Sequence, residues 1–337
     1  MTPGILLSVV VIGRNEGARL VRCLESVRAM GSIGGAVETI YVDSGSTDGS
    51  PARAAELGAT VLTVQPLRPC AAVGRNAGWR AARGEFVLFL DGDTVLDAAF
   101  PACALRELAE PQVGVVWGHR REIRAHDSIY NRVLDLDWIF PIGESTYCGG
   151  DAVMRREVLV RTDGFDDTLI AGEEPELCRR IRAAGWTIRH IDAPMTGHDL
   201  AIGSFRQYWR RAFRSGHAYA ELAARFRGSA DPLWLAESRR NLAHGAALIA
   251  LPAAAALASV ATASIAPVCV IVALLGAVVL RSAYRARAKS EQLLTRLAYA
   301  VHSHLQQVPI ALGQLAFRLD RARGRRRGLI DYKAHAR

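Results

Sequence analysis

The chain has 337 residues, half of them hydrophobic, and a formal charge of +9. Such a length holds a substantial core and more than one domain, and the hydrophobic share is ample for a buried sheet. The positive charge is not spread over the chain: residues 281–337 carry thirteen Lys/Arg against three Asp/Glu, which leaves the first 280 residues close to neutral; nucleic acid is one partner such a tail could take, but the long uncharged run just before it argues for a membrane and against nucleic acid.

The amino terminus, MTPGILLSVVVIGRNEG, has a short apolar stretch and no basic flank, so it reads as a first strand and not as a signal peptide. In the next segment Leu20, Leu24, Val27 and Met30 fall close to one helical stripe. VETIYVD is a second strand, Pro51 suits the first turn of a short helix, and ATVLTV is a third strand. VGRNAGWRAA gives a further helix, FVLFL a strand, Pro101 to Glu110 a helical stretch, and QVGVVWGH another strand. This alternation predicts an α/β domain with a mostly parallel sheet and helices on both faces.

Six cysteines, Cys23, Cys70, Cys103, Cys148, Cys178 and Cys269, are scattered without a CxxC pair. The spacing offers neither a zinc site nor a disulfide framework and fits a reduced compartment.

The candidate chemistry lies where strands end. GRNE, with Arg14, Asn15 and Glu16, follows the first strand, and DSGSTDGS, with Asp43, Ser44, Ser46 and Asp48, follows the second. Loops of Gly, Ser and Asp are often no more than turns. Here, however, they fall at the same sheet edge as Asp91 and Asp93, which end the apolar run Phe86 to Leu90, and ligands of open parallel sheets bind at the carboxyl ends of strands. A tight turn with two carboxylates there suits a hard divalent cation whose shell a diphosphate completes. A second pair of the same spacing, Asp135 and Asp137 in VLDLDW, sits in a mixed stretch that reads as a helix and carries no comparable argument. No GxGxxG follows the first strand and no GxxxxGK[ST] occurs, which removes the dinucleotide and P-loop readings.

Over residues 5–220 these motifs, in this order, resemble the inverting family 2 glycosyltransferases of GT-A fold, a Rossmann-like mixed sheet. VVVIGRNE is similar to the family's opening motif, YVDSGSTDGS to its nucleoside loop, and GRNAGWRAARGEFVLFLDGD to its RNxG helix and DxD strand. GGDAVMRREVLVRTDGFDDTL and GEEPELCRRIRAAGW resemble its acceptor-side block, which contains Gly149, Gly150 and Asp151. The resemblance implies a nucleotide-sugar donor, UDP- or GDP-linked, held by Arg14, Glu16, Asp43, Ser46, Asp48, Arg75, Asn76 and Asp91, with Asp93 on Mg²⁺ or Mn²⁺.

Two departures from the family pattern matter. The family's base is usually the aspartate of an ED pair, whereas this chain reads Glu173, Glu174, Pro175, Glu176. Glu174 matches the base by position and Glu173 stays open. An acidic first helical turn, favoured by the helix dipole, accounts for the same residues structurally. His198 stands where some GT-A enzymes complete the metal shell, although a lone loop histidine needs no ligand to explain it. Gln207, Trp209 and Arg210 resemble the QxxRW motif of processive polysaccharide synthases, but the order is QYWRR, which argues for adding one or a few sugars, with Trp209 and Arg210 on the acceptor side.

From Asn241 to Leu280 the chain carries no Lys, Arg, Asp or Glu, about twice what one bilayer crossing needs. Leu242 to Ala261 and Pro267 to Ala283 are expected as a transmembrane helical hairpin, each helix roughly 25–30 Å long. Arg239 and Arg240 before it, and Arg281, Arg285, Arg287 and Lys289 after it, place both ends on the cytoplasmic side of the inner membrane. LAYAVHSHLQQVPIALGQLAF fits an interfacial amphipathic helix, and RLDRARGRRR a basic tail on anionic lipid headgroups. The expected organisation is therefore a catalytic domain over 1–230, two spans over 241–283, and an amphipathic helix with a basic tail over 290–337. A membrane lipid or lipid-linked glycan acceptor, in cell-envelope or exopolysaccharide synthesis, follows. A catalytically dead membrane scaffold would have lost the metal acid or the base. A nucleotidyltransferase of related sheet architecture would carry a Gly-rich basic signature in place of GRNEG.

Overall fold

The computed structural model describes residues 4–65 and 70–325, and the Arg-rich stretch from 326 to 337 lies outside them. The chain forms two compact units: Met1–Ile123 with Trp138–Leu200, and Arg124–Asp137 with Ala201–Arg337.

The first unit is built on a mixed sheet. Strands β1 (Ile5–Gly13), β2 (Ala36–Asp43), β3 (Thr60–Thr63) and β4 (Phe86–Asp91) are parallel and lie in the order β3-β2-β1-β4. β8 (Ala152–Arg155) runs antiparallel between β4 and β6 (Val113–Glu122), and β9 (Thr187–His198) runs parallel to β6. Two short antiparallel strands, β5 (Thr94–Leu96) and β7 (Gly143–Glu144), pair with β9. β1 and β4 are apolar almost throughout and buried, as strands covered on both faces must be.

Helices α1 (Ala18–Arg28), α2 (Ser50–Glu56), α3 (Ala71–Ala81), α4 (Phe100–Glu107), α6 (Arg156–Thr162) and α7 (Glu173–Ala183) belong to this unit. Leu20, Cys23, Leu24 and Val27 form the buried stripe of α1, and the helix stops before Met30, which is half-buried. α3 rides directly on the sheet because Gly78 faces Val10, and a Cβ at that position would collide with the valine.

The second unit is helical. α5 (Ile129–Asp135) joins α8 (Phe205–Arg225), α9 (Leu235–Ala261), α10 (Ala266–Arg285), α11 (Leu293–Leu305) and α12 (Gln307–Ala322). Ser204 and Gln207 form a reciprocal capping box at the start of α8, so the glutamine compared above with the QxxRW motif holds the helix start. α9 begins seven residues before Leu242, and α9 and α10 are both long and apolar enough to cross a membrane. Ile249, Leu257, Val260, Val272 and Leu280 on these two helices are exposed.

The segment expected as one amphipathic helix is two. Pro309 has no N–H with which to bond the carbonyl of Leu305, so α11 ends there and α12 starts with the proline in its first turn, where no donor is missed. One face of α12, with Ile310, Ala311, Gly313 and Gln314, is buried. Gly313 lies against the backbone of Phe213 and Gly216 against that of Ile310, a reciprocal contact that any side chain at either glycine would push apart.

Candidate functional site

β4 delivers five buried apolar residues and then Asp91. The turn that follows is closed by the Thr94 hydroxyl donating to the Asp91 carbonyl (2.7 Å) and the Gly92 N–H donating to the Ile12 carbonyl (2.8 Å), and glycine suits the position because a Cβ there would come within 3.1 Å of that same carbonyl oxygen. Asp93, buried, is tied through its carbonyl to the Asp199 N–H (3.0 Å), just beyond the last residue of β9. That last residue is His198. Its Nε2 lies 3.5 Å from Asp93 Oδ2, and Asp91, Asp93 and His198 each present one ligand atom, all within 4.8 Å of one another. The structure thus brings together two acids of one turn and a histidine about a hundred residues away.

Behind His198 stands Glu122 on the neighbouring strand, its Oε2 3.8 Å from Nδ1 and accepting the Leu200 N–H at 2.9 Å. The ring of Trp138 packs edge-on against the imidazole at 5.1 Å. The fit to a divalent cation is sound: two carboxylates and an imidazole are donors that Mn²⁺ accepts, and Mg²⁺ takes the oxygens with water or phosphate completing its shell.

Arg75 organises the other flank. Buried on α3, it donates from Nη2 to Asp91 (2.9 Å) and from Nη1 to Glu174 (2.9 Å) and Glu173 (3.2 Å). Burial opposes its charge, but Glu174, Asp91 and Glu173 outweigh it and raise the guanidinium above its ordinary value. For Asp91 burial likewise works against ionisation, and Arg75 with Arg120 prevails, holding the carboxyl below its usual range. Gly150 makes room for this, since a Cβ there would strike Arg75. Glu173 and Glu174 open α7 after Gly172 in a left-handed conformation, and Glu174 is the more open, with 19% of its side chain exposed against 4% for Glu173.

Asp151 is wholly buried and serves the strand end. One oxygen accepts the Asp91 backbone N–H (3.0 Å) and the other the Thr196 hydroxyl (2.8 Å). Burial pushes its carboxyl up to about 6, with Arg120 pulling the other way and Asp91 adding to the rise.

The first two loops are stitched together. Asn15, at φ 55°, donates its N–H to Ser46 Oγ (2.9 Å) and accepts from the Thr47 N–H (2.7 Å), while Asp48 accepts from Gly17 (2.9 Å) and Ser50 (3.0 Å). Burial resists it, but these hydrogen bonds keep Asp48 below the usual carboxylate range. Asp43 is buried, taking the Tyr41 hydroxyl (3.0 Å) on one oxygen and the N–H groups of Gly45 and Ser46 on the other. Glu16 pairs with Arg19 at 2.8 Å, and Arg14 is exposed beside it.

Of the residues expected at the nucleotide, Asn76 stands apart: its amide is bonded to both the N–H and carbonyl of Phe165 and to the Trp79 indole, so it pins the loop before α7. Trp209 and Arg210 lie on α8 of the helical unit. Sequence reading missed Asn15 as the loop staple and Arg120 and Glu122 altogether. The last two alternate along β6 in a strand whose apolar run gave no hint of a polar end. It also missed the Cys148–Cys178 thiol contact (3.4 Å), which fixes the segment before Gly149 against α7.

Two family comparisons agree with this geometry. The glycosyl transferase family 2 profile matches residues 8–162, and that of glycosyl transferase family group 2 matches residues 86–284. The chain belongs to the family 2 glycosyltransferases. This family 2 chain is 26% identical over 245 residues to a pre-mycofactocin glycosyltransferase of Mycobacterium tuberculosis, covering 67% of its own length and 49% of that protein. It thus spans about half the length of that curated relative. Among solved structures it is similar to a mannosyltransferase of Pyrobaculum calidifontis in complex with GDP-mannose and Mn²⁺, at 26% identity and a TM-score of 0.62, over 92% of this chain and 86% of the other. Residues 1–349 of TarS from S. aureus, in complex with UDP-GlcNAc, share the fold at 16% identity and a TM-score of 0.53, over 95% and 93% of the two chains. The fold is GT-A.

Proposed function

We propose that the protein transfers a sugar with inversion from a UDP- or GDP-sugar to a membrane-associated acceptor, a lipid or lipid-linked glycan, in cell-envelope or exopolysaccharide synthesis. The observation that carries the catalytic reading is the joining of Asp91, Asp93 and His198 at one strand end, with Arg75 linking Asp91 to Glu173 and Glu174. The GDP-mannose and Mn²⁺ of the Pyrobaculum relative support the donor class and the metal. The two apolar helices support the membrane, and the basic residues that flank the pair, Arg239 and Arg240 before it and Arg281, Arg285, Arg287 and Lys289 after it, support a cytoplasmic position for its outer ends.

In this reading Asp43, Ser46, Asp48, Arg14 and Glu16 surround the nucleoside, and Asp93 and His198, with Asp91, hold Mg²⁺ or Mn²⁺. The cation, when bound, supplies positive charge against the diphosphate leaving group. Arg75 and Arg120 add fixed positive charge on the same side, where they need no reorganisation as the bond breaks. Glu174 takes the proton of the acceptor hydroxyl while that oxygen bonds to the anomeric carbon from the face opposite the departing diphosphate. One bond forms, one breaks, and no covalent sugar intermediate is required. Glu174 is favoured over Glu173 because it is the more exposed of the two and still held by Arg75. Gly149 and Gly150 shape the acceptor-side wall, and Asp151, buried beside them, braces the end of the Asp91 strand.

The test is nucleotide release by the purified full chain, in detergent, against a panel of UDP- and GDP-sugars with Mn²⁺ or Mg²⁺. One donor is expected to be hydrolysed or transferred in a metal-dependent way. Release from no donor, or undiminished release in excess EDTA, would overturn the assignment.

A further inference from the structure

The helical unit contains a second feature that the transfer chemistry does not use. The ends of α8 and α12 and the start of α9 surround a cleft of about 540 Å³. Arg227, Arg239, Arg318 and Arg321 line it, no acid does, and its floor is apolar, with Ala223 and Phe317. All four arginines are exposed, and none of them is ion-paired with a carboxylate among the described residues. Four uncompensated guanidiniums, Arg239 on α9, Arg318 and Arg321 on α12 and Arg227 in the turn after α8, repel one another, and an anion between them relieves that repulsion.

The geometry points to a binding site for the phosphate monoester headgroup of a membrane lipid. This rests on the membrane reading above, because the lipid source follows from where the cleft lies: Arg239 stands two residues before Asn241, where the 40-residue uncharged run begins, so the cleft sits at headgroup depth beside the first apolar helix. The apolar floor suits a glycerol or isoprenoid stem next to the phosphate. A monoester offers three terminal oxygens and close to two negative charges, whereas a diester offers two oxygens and one charge, so four planar forks that each grip two oxygens favour the monoester.

The experiment uses the full chain in detergent micelles doped with either dioleoyl phosphatidic acid, a monoester, or dioleoyl phosphatidylglycerol, a diester, with bound lipid counted by native mass spectrometry. Wild type should retain one phosphatidic acid per chain at a roughly tenfold lower doping level than phosphatidylglycerol. Arg239→Ser with Arg318→Ser should weaken that retention by about tenfold or more, while Arg323→Ser with Arg325→Ser, equal in charge but outside the cleft, should leave it unchanged. Equal retention of the two lipids, or equal loss in both double variants, would reduce the cleft to general basicity and overturn the proposal. Displacement of the lipid by millimolar inorganic phosphate would assign the site to a free anion and overturn it as well. Nucleotide release by the same wild-type preparation separates the two readings: a wild-type chain that binds lipid as expected yet releases no nucleotide refutes the donor assignment alone.

Discussion

Two aspartate pairs in this chain have the same spacing and opposite fates. Asp91 and Asp93 close a buried parallel strand and meet His198, Arg75 and Arg120. Asp135 ends a helix of seven residues in the other unit and Asp137 lies just beyond it. There Asp137 accepts the Tyr299 hydroxyl (3.1 Å) and faces His302 Nε2 (3.0 Å), whose other nitrogen meets Tyr208 (2.9 Å), while Lys289 reaches the Leu136 carbonyl and Tyr299. Burial and the Asp137 charge raise both tyrosines, and burial lowers Lys289, as expected of a closed structural network. Spacing of acids therefore says little by itself. What precedes the pair decides whether it is carried to a sheet edge, where a ligand has room, or into a helix junction, where protein groups take up both oxygens of Asp137.

The sharpest way to break this comparison is to neutralise one acid of each pair. Asp93→Asn is expected to lower transfer by about 10²–10³-fold or more and to abolish Mn²⁺ binding, read by paramagnetic resonance, with the melting curve retained. Asp137→Asn should leave Mn²⁺ binding in place and cost about 1–3 kcal/mol of unfolding free energy, because His302 and Tyr299 lose a charged partner in a buried setting. If Asp137→Asn removed the metal, or Asp93→Asn bound it normally, the distinction between the pairs would collapse.

An effect of the same order concerns how Arg75 wires the first pair to α7. Glu174→Gln preserves size and a hydrogen bond to Arg75 but cannot take a proton, so turnover should fall by about 10²–10⁴-fold with donor affinity little changed. Glu173→Gln should act mainly on stability, since that carboxylate is buried against Arg75. The reverse pattern would move the base one residue back.

Much of the site was legible because it depends on local pattern. An apolar strand ending in acids, Gly-rich loops after strands, and the two long apolar helices are visible without any tertiary knowledge. His198 was readable only as a candidate, since nothing in the composition of MTGHDL distinguishes a ligand from a solvated histidine; its pairing with Thr94 and Glu122 in the sheet register decides its place. Arg120, Glu122 and the polar partners of Asp137 were not legible, because each is set by strand order or helix packing over long sequence separations. The break between α11 and α12 was written in Pro309 and was overlooked because amphipathic periodicity runs on through it.

The smallest expected effect tests what anchors the first pair and the second lacks: Asp151, which accepts the Asp91 N–H. Burial raises its carboxyl to about 6, above the value of about 3.9 for an unfolded chain, so the native state favours the neutral form. The stabilisation this gives is fully present below about pH 4 and is lost as pH rises through about 6. Asp151→Asn fixes a neutral group that still accepts from Asp91 and donates to Thr196 Oγ1. In EDTA-treated protein, the unfolding free energy of wild type relative to Asp151→Asn should therefore decline between pH 4 and pH 7, by on the order of 2–3 kcal/mol if the whole shift is expressed. Other titrating groups cancel in that difference. Parallel pH profiles would show that Asp151 has no raised carboxyl, and a difference of opposite slope would show that Arg120 holds it ionised in the fold, so that it adds a third negative charge to the Asp91 strand end at neutral pH.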